Sequence, residues 1–185
     1  MLCRHVGRIV PEKGLDILFR SISQLLKEGI NIELLIIGSG TEDYVNKLKN
    51  TLNNVGVINN VFFAGPVNSD YLPLVYSKAD ILVLPTLTTD RCKEQFGRVL
   101  IEAMACETAV VGSSSGEIPN VIGDAGLVFK EGDSDDLFLK LKELILNGDL
   151  RKKLAKKGKA RVDELYSWTA VSKQLKQYYL EVLSK

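Results

Sequence analysis

Residues 81–112 read ILVLPTLTTDRCKEQFGRVLIEAMACETAVVG. Two short apolar runs, Ile81–Leu84 and Ala109–Gly112, flank a polar loop and a helical pattern over Gly97–Cys106. Both runs are apolar on each face, as strands covered by helices on two sides must be. A strand, a crossover helix and a second strand imply a parallel pair with a right-handed connection.

The same alternation extends outward in both directions. Further strand candidates are Leu2–Ile9, Ile32–Ile37, Val61–Ala64 and Gly126–Phe129. Between them lie helical patterns at Leu15–Glu28, Glu42–Asn53 and Tyr71–Ser77, and a short turn of helix at Ile118–Ile122. The repeat predicts an α/β fold, a Rossmann-like doubly wound parallel sheet of about six strands forming a single domain over residues 1–185. Ligands on such sheets bind outside the carboxyl ends of the strands, so the loops after the strands are where chemistry is sought.

The tail has a different character. Asp135–Leu146, Leu150–Leu165 and Thr169–Leu183 are three consecutive helical patterns, with Ser167 an N-cap for the last. That last pattern carries Val171, Leu175, Tyr178, Tyr179 and Val182 on one stripe. The simplest reading packs the stripe on the sheet; a sharper one docks it on a second domain.

Composition sets limits. The 185 residues are 45% apolar and 25% charged, the balance of a globular domain with a sizeable core. A net charge of +1 gives no general pull toward nucleic acid, so any anion site is local. Cys3, Cys92 and Cys106 have no metal-type spacing, and Cys106, in an apolar run, reads as a small core residue. A reduced, cytoplasmic setting is expected, with no transmembrane segment and no signal peptide. The opening MLCRHVGRIV is already strand-like, which suits a piece of something longer.

The post-strand loops differ in promise. VGRIVPEKG, residues 6–14, offers Gly7 for close approach and two cations, Arg8 and Lys13, near the first helix. A diphosphate needs cations beside free backbone N–H groups; the alternative is two solvated surface charges. Gly38 and Gly40 form only a GxG, with Asp43 where a dinucleotide fingerprint has its third glycine, and no P-loop occurs. Gly65, Pro66 and Val67 turn the chain where a flat base could lie, unless they are an ordinary loop. Three serines in GSSSGEIPN are secondary donors. His5, the one histidine, is read as a packed strand residue rather than a general base.

Glu102 is the sharpest feature. Val99, Leu100, Ile101, Ala103, Met104, Ala105 and Cys106 surround it, which leaves no wet face on the helix. Burying an unpaired carboxylate is costly, so partners are expected. Glu94 lies in the preceding loop, with the helix-start amides of Gly97–Val99 between the two acids. Acid, anion-binding amides, acid is a layout suited to a nucleotide sugar. The alternatives are a salt bridge from Glu102 to Arg8 or Arg98, and a surface position for Glu94.

GRIVPEKG, the Glu94 and Glu102 pair in EQFGRVLIEAMA, and SSGEIPNVIGDAGLVF occur in one order along the chain. Together they resemble the carboxyl-terminal, donor-binding domain of a retaining GT-B glycosyltransferase, family 4 (glycosyl transferases group 1). The resemblance implies that the domain binds a nucleoside-diphosphate sugar. It implies that Arg8 and Lys13 contact the diphosphate and that Glu94 holds donor-sugar hydroxyls. Backbone amides of Phe96, Gly97, Arg98 and Val99 would contact sugar and phosphate. Glu102 would bind the ribose hydroxyls, and Gly65–Val67 would lie near the base.

By the same resemblance no cofactor or metal is needed, the donor being a substrate. The acceptor site would belong to an amino-terminal domain absent from this sequence, and the final helix, Thr169–Leu183, resembles a closing segment that crosses back to it. The 185 residues would then bind donor without catalysing transfer, while the full-length enzyme would be a hexosyltransferase of polysaccharide or glycolipid synthesis, peripheral to a membrane at most. Asn120 stands where many relatives have an acid. A nucleotide-sugar epimerase or hydrolase of similar fold, and a non-catalytic interaction module, are the rival readings.

Overall fold

The computed structural model describes residues 1–90 and 93–184. Cys92 lies outside the described residues. The chain forms β1 (Leu2–Val6), α1 (Leu15–Lys27), β2 (Glu33–Ile37), α2 (Glu42–Asn54), β3 (Val61–Gly65), α3 (Leu72–Ser77) and β4 (Ile81–Leu84). It continues with α4 (Arg98–Ala105), β5 (Ala109–Ser113), α5 (Ile118–Ile122), β6 (Leu127–Phe129), α6 (Ser134–Leu146), α7 (Gly148–Leu165) and α8 (Trp168–Leu183). Every strand pair is parallel, in the order β3-β2-β1-β4-β5-β6. The order reverses between β1 and β4, so this seam is the switch point where such sheets hold ligands.

The largely apolar strands follow from the two-sided core. Cys3, Leu34, Ile36, Ile81, Val83, Ala109 and Val111 face one cluster with α1, α2 and α6. Val6, Ile37, Leu82, Leu84 and Val110 face the other with α3, α4, α5 and α7. Alternate residues of each strand thus serve opposite layers, which leaves few positions for polar side chains; Arg4, His5 and Ser113 take buried ones. His5 takes such a position as a neutral ring, fully buried, with Nδ1 3.2 Å from the carbonyl oxygen of Val83.

β1 stops at Val6, three residues before the sequence pattern ends, although its backbone pairing with β2 continues. Gly7 N–H donates to the Ile37 carbonyl (2.9 Å) and Ile9 N–H to the Ser39 carbonyl (2.8 Å). A Cβ on Gly38 would stand 1.8 Å from the Gly7 carbonyl oxygen, so only glycine permits this approach. The GxG of residues 38–40 is therefore a packing device between two loops.

Helix ends follow local chemistry. Asp133 accepts from the Asp135 and Asp136 amides to cap α6, and Asn147 accepts from Leu150 to cap α7. Ser167 accepts from Ala170 at 3.1 Å, the N-cap expected for α8. α4 closes in a Schellman turn: Thr108 N–H reaches the Ala103 carbonyl and Glu107 N–H reaches Met104. Glu107 holds the left-handed position of that turn at φ 55°.

Two expectations are corrected. The α8 stripe does not pack on the sheet: no residue of α8 is buried, and Tyr178, Tyr179 and Val182 are 63–71% exposed. The chain turns at Ser167, and α8 leaves the layer that α7 covers. Cys106 is not a core residue either. It is half-buried at the end of α4, and the fully buried thiol is Cys3, which burial pushes up to about 12. Among the described residues, no helix is long and apolar enough to cross a membrane.

Candidate functional site at the carboxyl edge of the sheet

Three adjoining clefts open along the carboxyl edge around the β1–β4 seam. The central one, about 360 Å³, is lined by Gly7, Lys13, Glu94, Phe96, Gly97 and Val99, among others. A second, about 490 Å³, lies between α3 and α4 and includes Tyr76, Arg98, Glu102 and Cys106. A third, about 210 Å³, includes Gly7, Arg8, Gly38, Pro66 and Val67. Arg98 borders the first and second, Gly7 the first and third, and Leu72 the second and third. Gly65 ends β3 beside the third, and its carbonyl accepts from Gly38 N–H at 2.9 Å.

Glu94 anchors the central cleft. Lys13 Nζ stands 2.6 Å from Glu94 Oε2, with both side chains about 15% exposed. Thr86, buried just past β4, donates its hydroxyl to the same oxygen at 3.1 Å. Gly97 N–H donates to Oε1 at 3.2 Å. Burial alone pushes the Glu94 carboxyl up; the Lys13 hydrogen bond and charge, with Thr86 and Gly97, outweigh it and hold it below the ordinary value. Glu94 is thus an ionised acceptor held on both oxygens, and the surface reading of this acid is excluded.

The network also corrects two expectations. Lys13 is not a solvated surface charge, because it is largely buried and paired with Glu94. Gly97 N–H is not a free anion donor, because Glu94 Oε1 takes it. The amides of Arg98 and Val99 have no intrahelical acceptor, as at any helix start, and both residues line the cleft with Lys13. Arg8 is exposed at the third cleft and has no ion-pair partner among the described residues. Phe96 packs edge-on against Tyr166, ring centroids 5.7 Å apart, which ties the Glu94 loop to the end of α7.

Glu102 is not sunk in a closed apolar helix. Its side chain is 32% exposed, because α4 buries only Leu100, Ala103 and Met104 fully and leaves the Arg98–Glu102–Cys106 face on the second cleft. The Tyr76 hydroxyl donates to Oε2 at 2.7 Å, and Arg98 Nε lies 3.0 Å from Oε1. Of the salt bridges considered from sequence, the one to Arg98 forms and the one to Arg8 does not.

The serine loop is structural. Ser113 donates to the Thr86 carbonyl (2.6 Å), Ser115 pairs with Thr88 (2.8 Å), and Ser114 accepts from Glu131 N–H (3.0 Å). Glu117 N–H donates to the Glu94 carbonyl at 3.0 Å, which holds the acid from behind. Sequence reading missed Thr86 and Tyr76 as supports. Thr86 could have been found as the first hydroxyl after β4, but nothing in the local pattern marks Tyr76.

Comparison with known proteins shows the family and the fold. The family description Glycosyl transferases group 1 matches residues 3–161. An uncharacterized glycosyltransferase of Methanocaldococcus jannaschii is 32% identical over 176 residues, covering 94% of this chain and 43% of that protein. The chain thus spans less than half the length of that curated relative. Sucrose-phosphate synthase of Thermosynechococcus elongatus superposes with a TM-score of 0.85 at 26% identity, covering 99% of this chain and 45% of that one. The carboxyl-terminal domain of a glycosyl transferase group 1 protein of Francisella tularensis superposes with a TM-score of 0.78 at 27% identity, covering 90% and 87%. The parallel sheet, the site at its seam and a match from Cys3 into α7 make this chain a member of the glycosyl transferases group 1 family, corresponding to the carboxyl-terminal domain of a GT-B glycosyltransferase.

Proposed function

We propose that this chain is the donor-binding domain of a retaining glycosyltransferase, which moves a hexose from a nucleoside diphosphate to an acceptor. The observation that supports it most is the Glu94 cluster: an ionised carboxylate, a lysine and two unshared helix amides on one cleft. A sugar diphosphate has the complementary groups, hydroxyls that donate and phosphate oxygens that accept.

In this reading donor-sugar hydroxyls donate to Glu94. The diphosphate lies against Lys13, Arg8 and the amides of Arg98 and Val99. The pentose meets Glu102, and the base lies at Gly65–Val67 in the third cleft. As the bond to the leaving diphosphate breaks, charge grows on its oxygens beside fixed cations and dipoles. Lys13 then shares its protons between Glu94 and phosphate, so sugar and diphosphate contacts are made by one coupled pair. These cations and amides supply the role that a divalent metal has in other sugar transferases.

The acceptor and the facing wall of the cleft belong, in this proposal, to a second, amino-terminal domain in a cytoplasmic protein, and α8 carries the exposed stripe that crosses to it. The 185 residues alone bind donor and do not transfer sugar. Calorimetry against UDP, GDP, ADP and their hexose conjugates tests the reading. Saturable binding of at least one, weakened about tenfold or more by Glu94→Gln for the sugar conjugate, is expected. No saturable binding by any overturns it in favour of an interaction module. Release of free sugar without acceptor by the longer protein would point to a hydrolase.

A further inference from the structure

The two oxygens of Glu102 are held by very different groups. Tyr76 is 1% exposed, its ring is packed in the core layer under α4, and its carbonyl accepts the Thr108 hydroxyl at 2.7 Å. Its hydroxyl therefore comes to Oε2 from a fixed point. Burial first, and then the bond to Glu102, raise this phenol above its ordinary value, so it remains a donor. Arg98, in contrast, is 84% exposed and sits one turn before Glu102 on the same helix. An exposed pair of that kind contributes little and opens readily.

We propose that Tyr76 is a positioning residue for Glu102 and that Arg98 is a displaceable placeholder on it. Tyr76 pins one carboxylate oxygen and sets the plane of the group. Arg98 covers Oε1, the oxygen a pentose diol reaches from the open cleft, and swings into solvent as the diol arrives. A carboxylate oxygen accepts about two hydrogen bonds, so Oε2 can keep Tyr76 and still accept one hydroxyl. The cost of moving Arg98 is paid only by ligands that carry the diol. This rests on the assignment of Glu102 to the pentose.

The test compares UDP, GDP and ADP with their 2′,3′-dideoxy counterparts, by calorimetry on the whole chain. Wild type is expected to prefer the ribo form of whichever diphosphate it binds. Tyr76→Phe should shrink that preference by about tenfold through weaker ribo binding, with the dideoxy affinity unchanged. Arg98→Met, which keeps the backbone amide, should tighten the ribo form by about two- to fivefold and leave the dideoxy form alone. A general structural role would weaken both forms together.

Equal wild-type binding of ribo and dideoxy forms overturns the pentose assignment, and this proposal with it. A wild-type preference that survives Tyr76→Phe intact overturns the positioning role alone. Should Tyr76→Phe fail to fold, Arg98→Met still decides the placeholder, because its side chain is exposed, and the Tyr76 hydroxyl proton in wild type decides the positioning role. That proton should stay protected from exchange when the ribo form binds, and loss of the protection on binding overturns the role. Unchanged or weaker ribo binding by Arg98→Met overturns the placeholder.

Discussion

A Cβ placed on Gly116 would stand 1.9 Å from the carbonyl oxygen of Glu94. The loop after β5 is thus pressed against the backbone of the central acid, at a φ of +57° that side chains rarely adopt. Gly116→Ala is expected to destabilise the domain by about 2 kcal/mol, from left-handed strain plus the backbone clash. Binding of nucleoside diphosphates should weaken further than the lost stability accounts for, because Glu94 itself must move. Urea unfolding and calorimetry on the same preparation separate the two effects.

Lys13→Met leaves Glu94 in its half-buried place without its cation. Burial then acts against only Thr86 and Gly97, and the Glu94 carboxyl should titrate higher than in wild type. Carbon-detected NMR titration of the glutamates reads this directly. In wild type the folded value lies below the ordinary 4.5, so the stabilisation from this carboxylate is present above pH 4.5 and is lost as pH falls through the folded value. The variant should lack that acid-side loss, and a wild-type-like acid profile would refute the pairing.

His5 provides a second pH signature at higher pH. Burial, offset partly by the Val83 carbonyl, holds the ring at about 4 against an ordinary 6.5. The neutral ring's contribution is full above pH 6.5, falls as pH drops from 6.5 toward 4, and changes little below. The span corresponds to about 3 kcal/mol. His5→Phe, compared with wild type by urea unfolding at pH 7 and pH 4.5, should show a stability difference that moves in the variant's favour at the lower pH.

Glu107 closes the Schellman turn after α4 in a conformation that suits glycine. Glu107→Gly is expected to stabilise the fold by about 1 kcal/mol, read as a raised urea midpoint with unchanged slope. Nucleotide affinity should not change, because Glu107 lines none of the three clefts and its turn is kept.

The strand and helix succession was legible because two-sided burial writes an unbroken apolar run, as in ILVL at residues 81–84, and α1 writes a clear stripe through Leu15, Leu18, Phe19 and Ile22. That Lys13 and Glu94 lie near one another was legible from their loops, both of which follow strands at the carboxyl edge, but the cost argument misplaced Glu102, whose face of α4 is open. The site was not legible where one residue's state depends on a distant one. Nothing near Glu102 says that a tyrosine 26 positions earlier will reach it, or that α4 is laid with that face outward. For α8 the stripe was readable but its target was not, because periodicity reports which face is apolar and not what it meets.

The interlock of Gly7 with Gly38 has a consequence for altering this domain. Because the loops after β1 and β2 touch backbone to backbone, neither Gly38 nor Gly40 has room for a side chain without the loop after β1 giving way. Room for variation therefore lies at exposed side chains of the loops after β3, β4 and β5, away from the main-chain contacts of Gly65 and Gly116. Libraries aimed at a new ligand should vary exposed positions such as Gln95, Ser114 and Glu117 and hold Gly116 and residues 7–9 and 37–40 fixed.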